Sequence, residues 1–432
     1  MPKKILFIDP PFQKFMNFSK GGIPLGLLSL AGSLKERGHE VKVLDADYNP
    51  RGNAYPFIEK IEHYRDYLKG LNDETHPIWE DIRGLIQDSS PDVIGLSLIS
   101  TKVKSGLKIA EIGKKLGVKR IVAGGPHVTI DSNGILKNKY IDSVVIGEAE
   151  NVFEKSLVEK IVISDRIKDL DNLALPSRDS LINIEGYNSK DLGFVTASRG
   201  CVGSCNFCCS ERLWDKKVRT REIKNVLEEI DLVNKKYGTT EFYLVDDTFT
   251  LSRKRVMEFG KGMKERGYRW SCLTRMDKVD KELIENMLDS NCQIIKVGVE
   301  SGNESVLRSM NKNMNLNTIK RAAQIFNESG MPWLAYFIVG SPDETTENMY
   351  ETMEFIEKIK PTYVSASIYT PYPGTGFTRN HPLDLDFAME EANHHSLEVI
   401  AGKIPREELK KFMAFADKYN DHSSLAKKLF KR

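Results

Sequence analysis

Four of the six cysteines of this chain lie close together, at Cys201, Cys205, Cys208 and Cys209. Six cysteines in 432 residues are too few for a disulfide scaffold, and their clustering indicates metal binding instead. Thiolates are the ligands that iron-sulfur clusters use. The spacing of Cys201, Cys205 and Cys208 predicts a loop that holds a [4Fe-4S] cluster through three thiolates and leaves one iron open to a substrate.

Zinc is the alternative metal for these thiols. Structural zinc sites usually draw their ligands as two separated pairs, and the sequence has no second Cys or His pair at a suitable spacing. Cys209 is an alternative fourth ligand of a cluster. Adjacent residues of a loop rarely both reach one face of a cube, so we predict that Cys209 is a packed thiol.

The charges of the chain exclude some classes of partner. Lys plus Arg number 63 against 61 for Asp plus Glu, a net charge of +2, so no overall field attracts nucleic acid or an anionic membrane. The run from Met1 to Ile8 is too short for a signal peptide or a membrane span, and we expect a cytoplasmic location. A small-molecule substrate fits this balance of charges.

Residues 1–150 alternate apolar runs with amphipathic stretches, which predicts an α/β domain with a doubly wound, Rossmann-like parallel sheet. Ligands of such sheets bind in the crevice beyond the carboxyl ends of the strands. Residues 49–90 form a charged insertion that we expect to be helical. Residues 151–192 lack a clear periodicity and are predicted to connect two domains. The predicted strands are Lys4–Ile8, Glu40–Leu44, Asp92–Leu98, Arg120–Ala123 and Ser143–Ile146, with a helix over Leu25–Arg37.

Residues 193–383 repeat a strand-helix unit six times, which favours a (β/α)6 partial TIM barrel with its chemistry at the carboxyl ends of the strands. Residues 384–432 are predicted to be a small C-terminal helical element. The cysteine loop follows the first barrel strand directly. The predicted strands are Phe194–Ala197, Glu241–Val245, Arg269–Leu273, Gln293–Val299, Trp333–Val339 and Tyr363–Tyr369, and the predicted helices are Arg221–Tyr237, Arg255–Arg266, Lys281–Asp289 and Asn317–Ser329.

The cysteine motif, with the aromatic Phe207 before its third cysteine, resembles the signature of the radical S-adenosylmethionine (SAM) superfamily. In that family the open iron binds the amino and carboxylate groups of SAM, and reduction of the cluster yields a 5'-deoxyadenosyl radical. The resemblance implies an enzyme that needs SAM, a [4Fe-4S] cluster and an external electron donor such as flavodoxin or ferredoxin. It continues through Val245–Thr250, Trp270–Arg275, Gly298–Gly302, Gly340–Thr345 and Thr370–Thr375.

The same resemblance implies which residues contact the amino acid part of SAM. Asp246 and Asp247 stand at the family's amino-group motif, although acidic residues replace the usual Gly-Gly-Glu, and either one would contact the ammonium. Arg275 would meet the carboxylate. The alternatives are that the aspartates cap the following turn and that Arg275 is solvated.

Two further motifs resemble those that bind the nucleoside part of SAM. Glu300 and Ser301 resemble the ribose-binding motif, and Val339 with Gly340 resembles the adenine-binding strand. The alternative for Glu300 is an ion pair with a structural Lys or Arg.

Residues 1–150 resemble the cobalamin (B12)-binding domain that precedes many radical enzymes. The resemblance is carried by Asp9–Phe12, Ile23–Leu28, Gly38–Val41, Gly124–His127 and Gly147–Glu148. It implies that the nucleotide tail of cobalamin lies along the sheet where small residues let it approach. The implied contacts are Ser97, Leu98, Gly124, Gly125, His127, Gly147 and Glu148.

Many corrinoid domains carry an Asp-x-His-x-x-Gly motif whose histidine binds cobalt from below, and this motif is absent here. Neither His39 nor His127 has a glycine three residues later. We therefore expect that cobalamin binds without a protein histidine below the cobalt.

The resemblance favours a cobalamin-dependent radical enzyme that methylates an unactivated carbon of a small molecule or natural-product intermediate. The alternative within the family is a cyclase, a rearranging enzyme or a dehydratase with an auxiliary or absent cobalamin. The alternative from another class is a carrier of a corrinoid or of an iron-sulfur cluster that does not catalyse a reaction.

Overall fold

The computed structural model describes residues 1–380 and 402–422. These residues form two compact units. The first contains residues 1–54 and 63–192, and the second contains residues 55–62 and the described residues from 193 onward. No helix in these ranges is long and apolar enough to cross a membrane.

The first unit is built on a six-stranded parallel sheet in the order β2-β1-β3-β4-β5-β6. Strand β1, which pairs with β2 on one side and β3 on the other, carries an unbroken apolar run, Ile5 to Ile8, that is buried throughout, as in parallel sheets covered on both faces. The predicted Rossmann-like sheet is confirmed. Its strands are β1 (Lys4–Asp9), β2 (Glu40–Asp45), β3 (Val93–Ser97), β4 (Arg120–Gly124), β5 (Ser143–Ile146) and β6 (Ile161–Ile163).

Strand β6 lies in residues 151–192, where the sequence predicted only a connector. Of its three residues only Val162 is buried, while Ile161 and Ile163 are exposed, so the strand has no apolar run that a sequence pattern reveals. The insertion contains two helices, as expected. The helices from the N-terminus to residue 192 are α1 (Leu25–Glu36), α2 (Phe57–Asn72), α3 (Pro77–Ser89), α4 (Val103–Lys115), α5 (Pro126–Ile130) and α6 (Ser132–Leu136).

The second unit contains six parallel strands in the order β14-β13-β12-β11-β10-β7, which confirms the predicted six-strand partial barrel. A short antiparallel ribbon of β8 and β9 follows the first strand. The strands are β7 (Phe194–Val195), β8 (Ser198–Arg199), β9 (Arg219–Thr220), β10 (Glu241–Leu244), β11 (Arg269–Thr274), β12 (Cys292–Glu300), β13 (Trp333–Val339) and β14 (Tyr363–Ile368).

One face of each barrel strand packs against the helices, and the other face lines the inside of the barrel. On β12 the buried residues Ile295, Val297 and Val299 belong to the hydrophobic core, and the residues between them point to the inside. The predicted C-terminal element lies partly outside the described residues. The helices are α7 (Ser210–Trp214), α8 (Ile223–Tyr237), α9 (Arg253–Arg266), α10 (Lys281–Asp289), α11 (Glu304–Ser309), α12 (Leu316–Ser329), α13 (Thr346–Ile359), α14 (Gly376–Asn380) and α15 (Arg406–His422).

Candidate functional site

The cysteine loop begins where β8 ends, at the carboxyl edge of the barrel sheet. The main-chain amide of Gly203 donates a hydrogen bond to the Cys201 sulfur at 3.3 Å, and the amide of Ser210 donates one to the Cys208 sulfur at 3.4 Å. Amide donors of this kind stabilise thiolates and set the reduction potential of a bound cluster. The loop therefore supplies both ligands and donors that suit an iron-sulfur cluster.

Gly203 keeps the space between two of the thiols open. A Cβ on this residue would lie 3.4 Å from the Cys201 sulfur and 3.8 Å from the Cys205 sulfur. It would also lie 3.7 Å from a terminal guanidinium nitrogen of Arg275. Two thiols and one cation thus converge on a single position that carries no side chain.

The loop offers three thiols that could each bind a different metal atom. Within residues 1–380 and 402–422, no three His, Cys, Asp or Glu side chains are arranged to hold one metal ion. The ligands of a cube bind different iron atoms at separate corners, so they stand further apart than the four ligands of zinc. Three thiols from one loop are a donor set that fits a [4Fe-4S] cluster.

Cys209 has a different environment from the other three loop cysteines. Its thiol donates to the carbonyl oxygen of Pro373 at 3.3 Å, and burial raises its pKa to about 12. Cys209 therefore stays a protonated thiol at neutral pH, which agrees with the packed thiol expected from the sequence.

Two asparagines attach the cysteine loop to the turn after α11. The amide and the side chain of Asn206 donate to the carbonyls of Met310 and Ser309 at 2.8 and 2.7 Å. The side chain of Asn311 donates to the carbonyl of Ser204 at 2.8 Å. These bonds fix the loop from outside, so the thiols are held in place before any metal binds.

Glu300 ends β12 in an unusual conformation. It has φ +70, which is rare for a residue with a side chain, and it is 5% exposed. Its carboxylate lies 2.6 Å from Nζ of Lys312, and a Cβ on Gly298 would lie 2.8 Å from the same nitrogen. Strain of this kind is kept at functional sites more often than elsewhere, so Glu300 is a candidate ligand-binding residue.

Lys312 was not singled out in the sequence, yet it lies beside the cysteine loop. Its Nζ is 5.7 Å from the centre of the Phe207 ring. Burial acts to lower the pKa of Lys312, but the charges of Glu300 and then Cys205 outweigh burial and raise it. The site therefore contains a buried, protonated lysine next to a predicted cluster ligand.

The structure separates the roles of the two adjacent aspartates. Asp246 is 1% exposed and accepts hydrogen bonds from the amide of Ala197, at 2.8 Å, and from the hydroxyl of Ser198. Burial raises the pKa of Asp246 to about 6. Asp247 is exposed. Asp246 thus holds the start of the cysteine loop, and Asp247 is the carboxylate that is open to a ligand.

Arg275 follows the end of β11 and reaches toward the cysteine loop. Its Nε donates to Asp277 at 2.8 Å, and its terminal nitrogen faces the space beside Gly203. The guanidinium is therefore oriented by a carboxylate and directed at the position between two thiols.

The side chains of two other predicted residues, Ser301 and Val339, are buried. The Ser301 hydroxyl is fully buried, where it bonds to the Thr352 hydroxyl at 3.1 Å. Val339 is buried in the core, and the amide of Gly340 donates to Glu344 at 2.7 Å. The structure does not bring the Ser301 hydroxyl to the cysteine loop.

The predicted corrinoid crevice lies at the carboxyl ends of β3, β4 and β5 in the first unit. Ser97, Gly124 and Gly147 are half-buried there. A Cβ on Gly124 would come no closer than 3.8 Å to any other residue. The small residues at this edge therefore leave room for a ligand against the sheet, as a B12 tail requires.

The two neighbouring glycines differ. Gly125 has φ +97, and a Cβ there would lie 2.9 Å from the amide nitrogen of Leu98. Gly125 is thus required by the close approach of two backbone segments, whether or not a ligand binds. The amide of Leu98 in turn donates to the carbonyl of Gly124 at 2.8 Å, so Leu98 holds the crevice rather than entering it.

His127 and Glu148 are buried at the same end of the sheet. Nδ1 of His127 lies 3.0 Å from the Ser100 hydroxyl, and Nε2 has no partner among the described residues. Burial lowers the pKa of His127 and keeps the ring neutral. Glu148 accepts from the amide of Ile167 at 2.9 Å. The unpaired Nε2 is an atom that a polar group of a ligand would satisfy.

A buried ion network at the ends of β1 and β2 was also missed in the sequence. Nζ of Lys20 lies 3.0 Å from Asp9 and 2.9 Å from Asp45, and Nζ of Lys102 lies 2.8 Å from Asp9 and 3.2 Å from Asp47. Two lysines thus bridge three aspartates. The network fixes the loop after β1 to the start of α4.

Comparison with known proteins gives two domain matches. Residues 195–356 match the model of the radical SAM superfamily, and residues 17–157 match the model of the B12 binding domain. The first match contains the cysteine loop, and the second contains the crevice at β3, β4 and β5.

Two similar proteins are named as methyltransferases. An uncharacterized methyltransferase of Pyrococcus horikoshii is 28% identical, over 86% of this chain and 82% of that protein. The cytidylyl-2-hydroxyethylphosphonate methyltransferase of Streptomyces wedmorensis is 26% identical, over 87% of this chain and 80% of that protein. Among solved structures, the radical SAM methyltransferase TsrM from Kitasatospora setae has the same fold, with a TM-score of 0.64 at 15% identity. The match covers 87% of this chain and 77% of TsrM, whose structure contains cobalamin and a [4Fe-4S] cluster.

Proposed function

The chain belongs to the radical SAM superfamily, in the group whose members carry a B12 binding domain before the radical SAM domain, and we propose that it is a cobalamin-dependent radical methyltransferase. When bound, the cluster and SAM supply a 5'-deoxyadenosyl radical and cobalamin supplies a methyl group for an unactivated carbon. We propose a small molecule or natural-product intermediate as the substrate, and a flavodoxin or ferredoxin as the electron donor. Both relatives described above are named as methyltransferases, which supports this function.

The observation that carries the proposal is the convergence of two thiols and the Arg275 guanidinium on the open position at Gly203. Cys201, Cys205 and Cys208 hold the cluster, and Phe207 packs beside it. Three thiolates leave one corner of a cube without a protein ligand, which is the corner that chelates SAM. The cation next to that space suits the carboxylate of an amino acid.

The remaining SAM contacts follow from exposure and charge. Asp247, the exposed aspartate, accepts the ammonium, while Asp246 keeps the loop in place. The Glu300 carboxylate, which is ion-paired with Lys312, accepts hydrogen bonds from the ribose hydroxyls. The main chain of Val339 and Gly340 borders the adenine. Each of these residues binds or orients SAM, and none of them transfers a proton.

In the first unit, the half-buried edge formed by Ser97, Gly124 and Gly147 receives the nucleotide tail of cobalamin. Nε2 of His127 is the ring nitrogen that remains for a hydrogen bond with the ligand there, since Nδ1 already bonds to the Ser100 hydroxyl. The sequence has no Asp-x-His-x-x-Gly motif, so this edge would hold cobalamin without a protein histidine below the cobalt.

The test is anaerobic incubation of the reconstituted protein with a reductant, methyl-labelled SAM and a panel of small molecules, beginning with cytidylyl-2-hydroxyethylphosphonate. We expect 5'-deoxyadenosine together with a product that carries the label on carbon. Formation of 5'-deoxyadenosine with an unlabelled, rearranged or cyclised product would replace methylation with the alternative within the family. A purified protein that retains no corrinoid after incubation with hydroxocobalamin would also refute the methyltransferase.

A further inference from the structure

A charged side chain on the inside of the barrel sheet, Lys296, is not used by the proposed SAM site. Lys296 lies on β12, on the same face as Gly298 and Glu300 and opposite to the core residues Ile295 and Val297. It is half-buried and lies four residues before Glu300, which is about 13 Å along a strand. Lys296 therefore stands below the carboxyl edge where SAM would bind.

The aromatic ring that contacts Lys296 on this face is uncharged. Nζ of Lys296 lies 4.0 Å from the centre of the Tyr243 ring, on β10. Glu241, at the start of β10, is a charged residue on the same face, and it is paired with Arg269. Half-buried residues with hydroxyl groups come from four strands. They are Tyr243, Ser271, Tyr336, Ser365 and Ser367.

Lys296 differs from the buried lysines that have a structural role. Lys312 lies 2.6 Å from Glu300, and Lys102 lies 2.8 Å from Asp9. Lys296 has no ion pair and no hydrogen bond within the described ranges; its one close polar contact is the face of Tyr243. Burial lowers the pKa of Lys296 to about 8, which reflects a cation held away from water without a counter-ion.

A half-buried cation without a counter-ion is unfavourable for folding and favourable for binding an anion. The interaction with Tyr243 offsets only part of the lost hydration. Hydroxyl groups on the same face of the sheet add donors for further oxygen atoms of the same ligand. This arrangement is what an anion-binding subsite requires: one cation, several neutral donors and limited access to water.

We infer that the inside of the barrel binds an anionic oxygen group of the substrate, a carboxylate, phosphate or phosphonate, against Lys296. The inference rests on the proposed function, because it assigns a substrate class to that same site. It places the anionic end of the substrate deep in the barrel and leaves the remainder of the molecule to extend toward the carboxyl edge, where the radical would form. Specificity then comes from one ion pair rather than from the residues that hold SAM.

The experiment is a lysine footprint of the reconstituted protein under anaerobic conditions. The protein is acetylated briefly with acetic anhydride in sodium chloride, sodium phosphate or sodium acetate of equal ionic strength, and acetylation of each lysine is measured by mass spectrometry. We expect phosphate or acetate to slow acetylation of Lys296 several-fold and saturably. Lys281, which is exposed at the start of α10, is the internal control and should not change.

A matched variant tests the same claim through stability. Phosphate should raise the melting temperature of the wild-type protein, and Lys296→Met, which keeps the length of the side chain without its charge, should abolish that increase. Lys281→Met should keep it. If Lys296→Met fails to fold, the footprint of the wild-type protein still tests whether an anion binds at Lys296, because the footprint needs no variant.

Three results would overturn the inference. The first is protection of Lys296 that is no greater than that of Lys281. The second is a Lys296 that is not acetylated even in chloride, since such a site would be closed to ligands. The third is full protection by SAM alone with no further effect of phosphate, because the anion would then be the carboxylate of SAM. None of these measurements needs methyl transfer. The anion site can therefore be refuted while the proposed function holds, and the proposed function can be refuted while the anion site holds.

Discussion

Removing one partner of the buried Glu300–Lys312 pair should destabilise the protein far more than removing both. The two charged groups are 2.6 Å apart, and their side chains are only 7% and 8% exposed. Lys312→Met leaves the Glu300 carboxylate buried without its cation, which costs about 3–5 kcal/mol of unfolding free energy. The double variant Glu300→Gln/Lys312→Met leaves no buried charge and should recover most of that loss.

The control is an ion pair of the same type on the surface. Lys358 and Glu354 are 3.5 Å apart on α13, and both side chains are about two-thirds exposed. Lys358→Met should cost less than about 0.5 kcal/mol, because water and salt screen exposed pairs. Urea unfolding of the metal-free wild-type protein, Lys312→Met, Glu300→Gln, the double variant and Lys358→Met, followed by circular dichroism, gives all five values under one condition.

SAM affinity gives a second readout that a purely structural pair would not affect. Glu300→Gln loses charged acceptance of hydrogen bonds from the ribose, which is worth about 2 kcal/mol, or about thirtyfold in Kd. Titration calorimetry with the reconstituted protein measures it. The reasoning is refuted if Lys312→Met is as stable as the wild-type protein, or if the double variant loses the sum of the two single losses. Unchanged SAM affinity in a folded Glu300→Gln protein would show that Glu300 is structural only.

Three further predictions use residues whose surroundings are well defined. Gly203→Val should lower the iron content after reconstitution, because its branches would enter the space between the Cys201 and Cys205 sulfurs, whereas Gly203→Ala should retain iron; equal iron in both variants contradicts this. Gly124→Val should fold normally but lose corrinoid in an optical spectrum taken after removal of free hydroxocobalamin, while SAM cleavage persists. Burial raises the pKa of Glu344 from 4.5 to about 7, so its stabilising contribution is complete below pH 4.5 and is lost as the pH rises to about 7. The unfolding free energy of Glu344→Gln, measured with urea, should therefore rise relative to that of the wild-type protein by up to about 3 kcal/mol between pH 5 and pH 8. A difference between the two proteins that stays constant with pH would refute the raised pKa of Glu344.

The parts of the fold that depend on repeated apolar runs could be predicted from the sequence. The apolar composition of Ile5 to Ile8 and of the six barrel strands indicates that they are buried. The location of the cysteine loop at the carboxyl edge of the barrel could be predicted because the loop comes directly after the first barrel strand. Strand β6 could not be predicted in this way, because two of its three residues are exposed.

Contacts that depend on long-range packing could not be predicted either. Lys312 meets Glu300 only because the chain turns back after α11, and nothing in the residues around Lys312 indicates that return. Asp246 and Asp247 are equivalent in the sequence, and only the structure shows which one is buried. Gly124 and Gly125 are likewise adjacent in the sequence, and only the structure shows that Gly125 has φ +97 and lies close to the Leu98 backbone.

The measurement that tests the central claim most directly is the yield of 5'-deoxyadenosine from reduced, reconstituted protein that carries Cys208→Ala or Cys209→Ala. If three thiolates hold a cluster with one open iron, Cys209→Ala should cleave SAM as the wild-type protein does, and Cys208→Ala should bind no complete cluster and form no 5'-deoxyadenosine. Cleavage by Cys208→Ala at the wild-type rate, or loss of the cluster in Cys209→Ala, would contradict the assignment of the site.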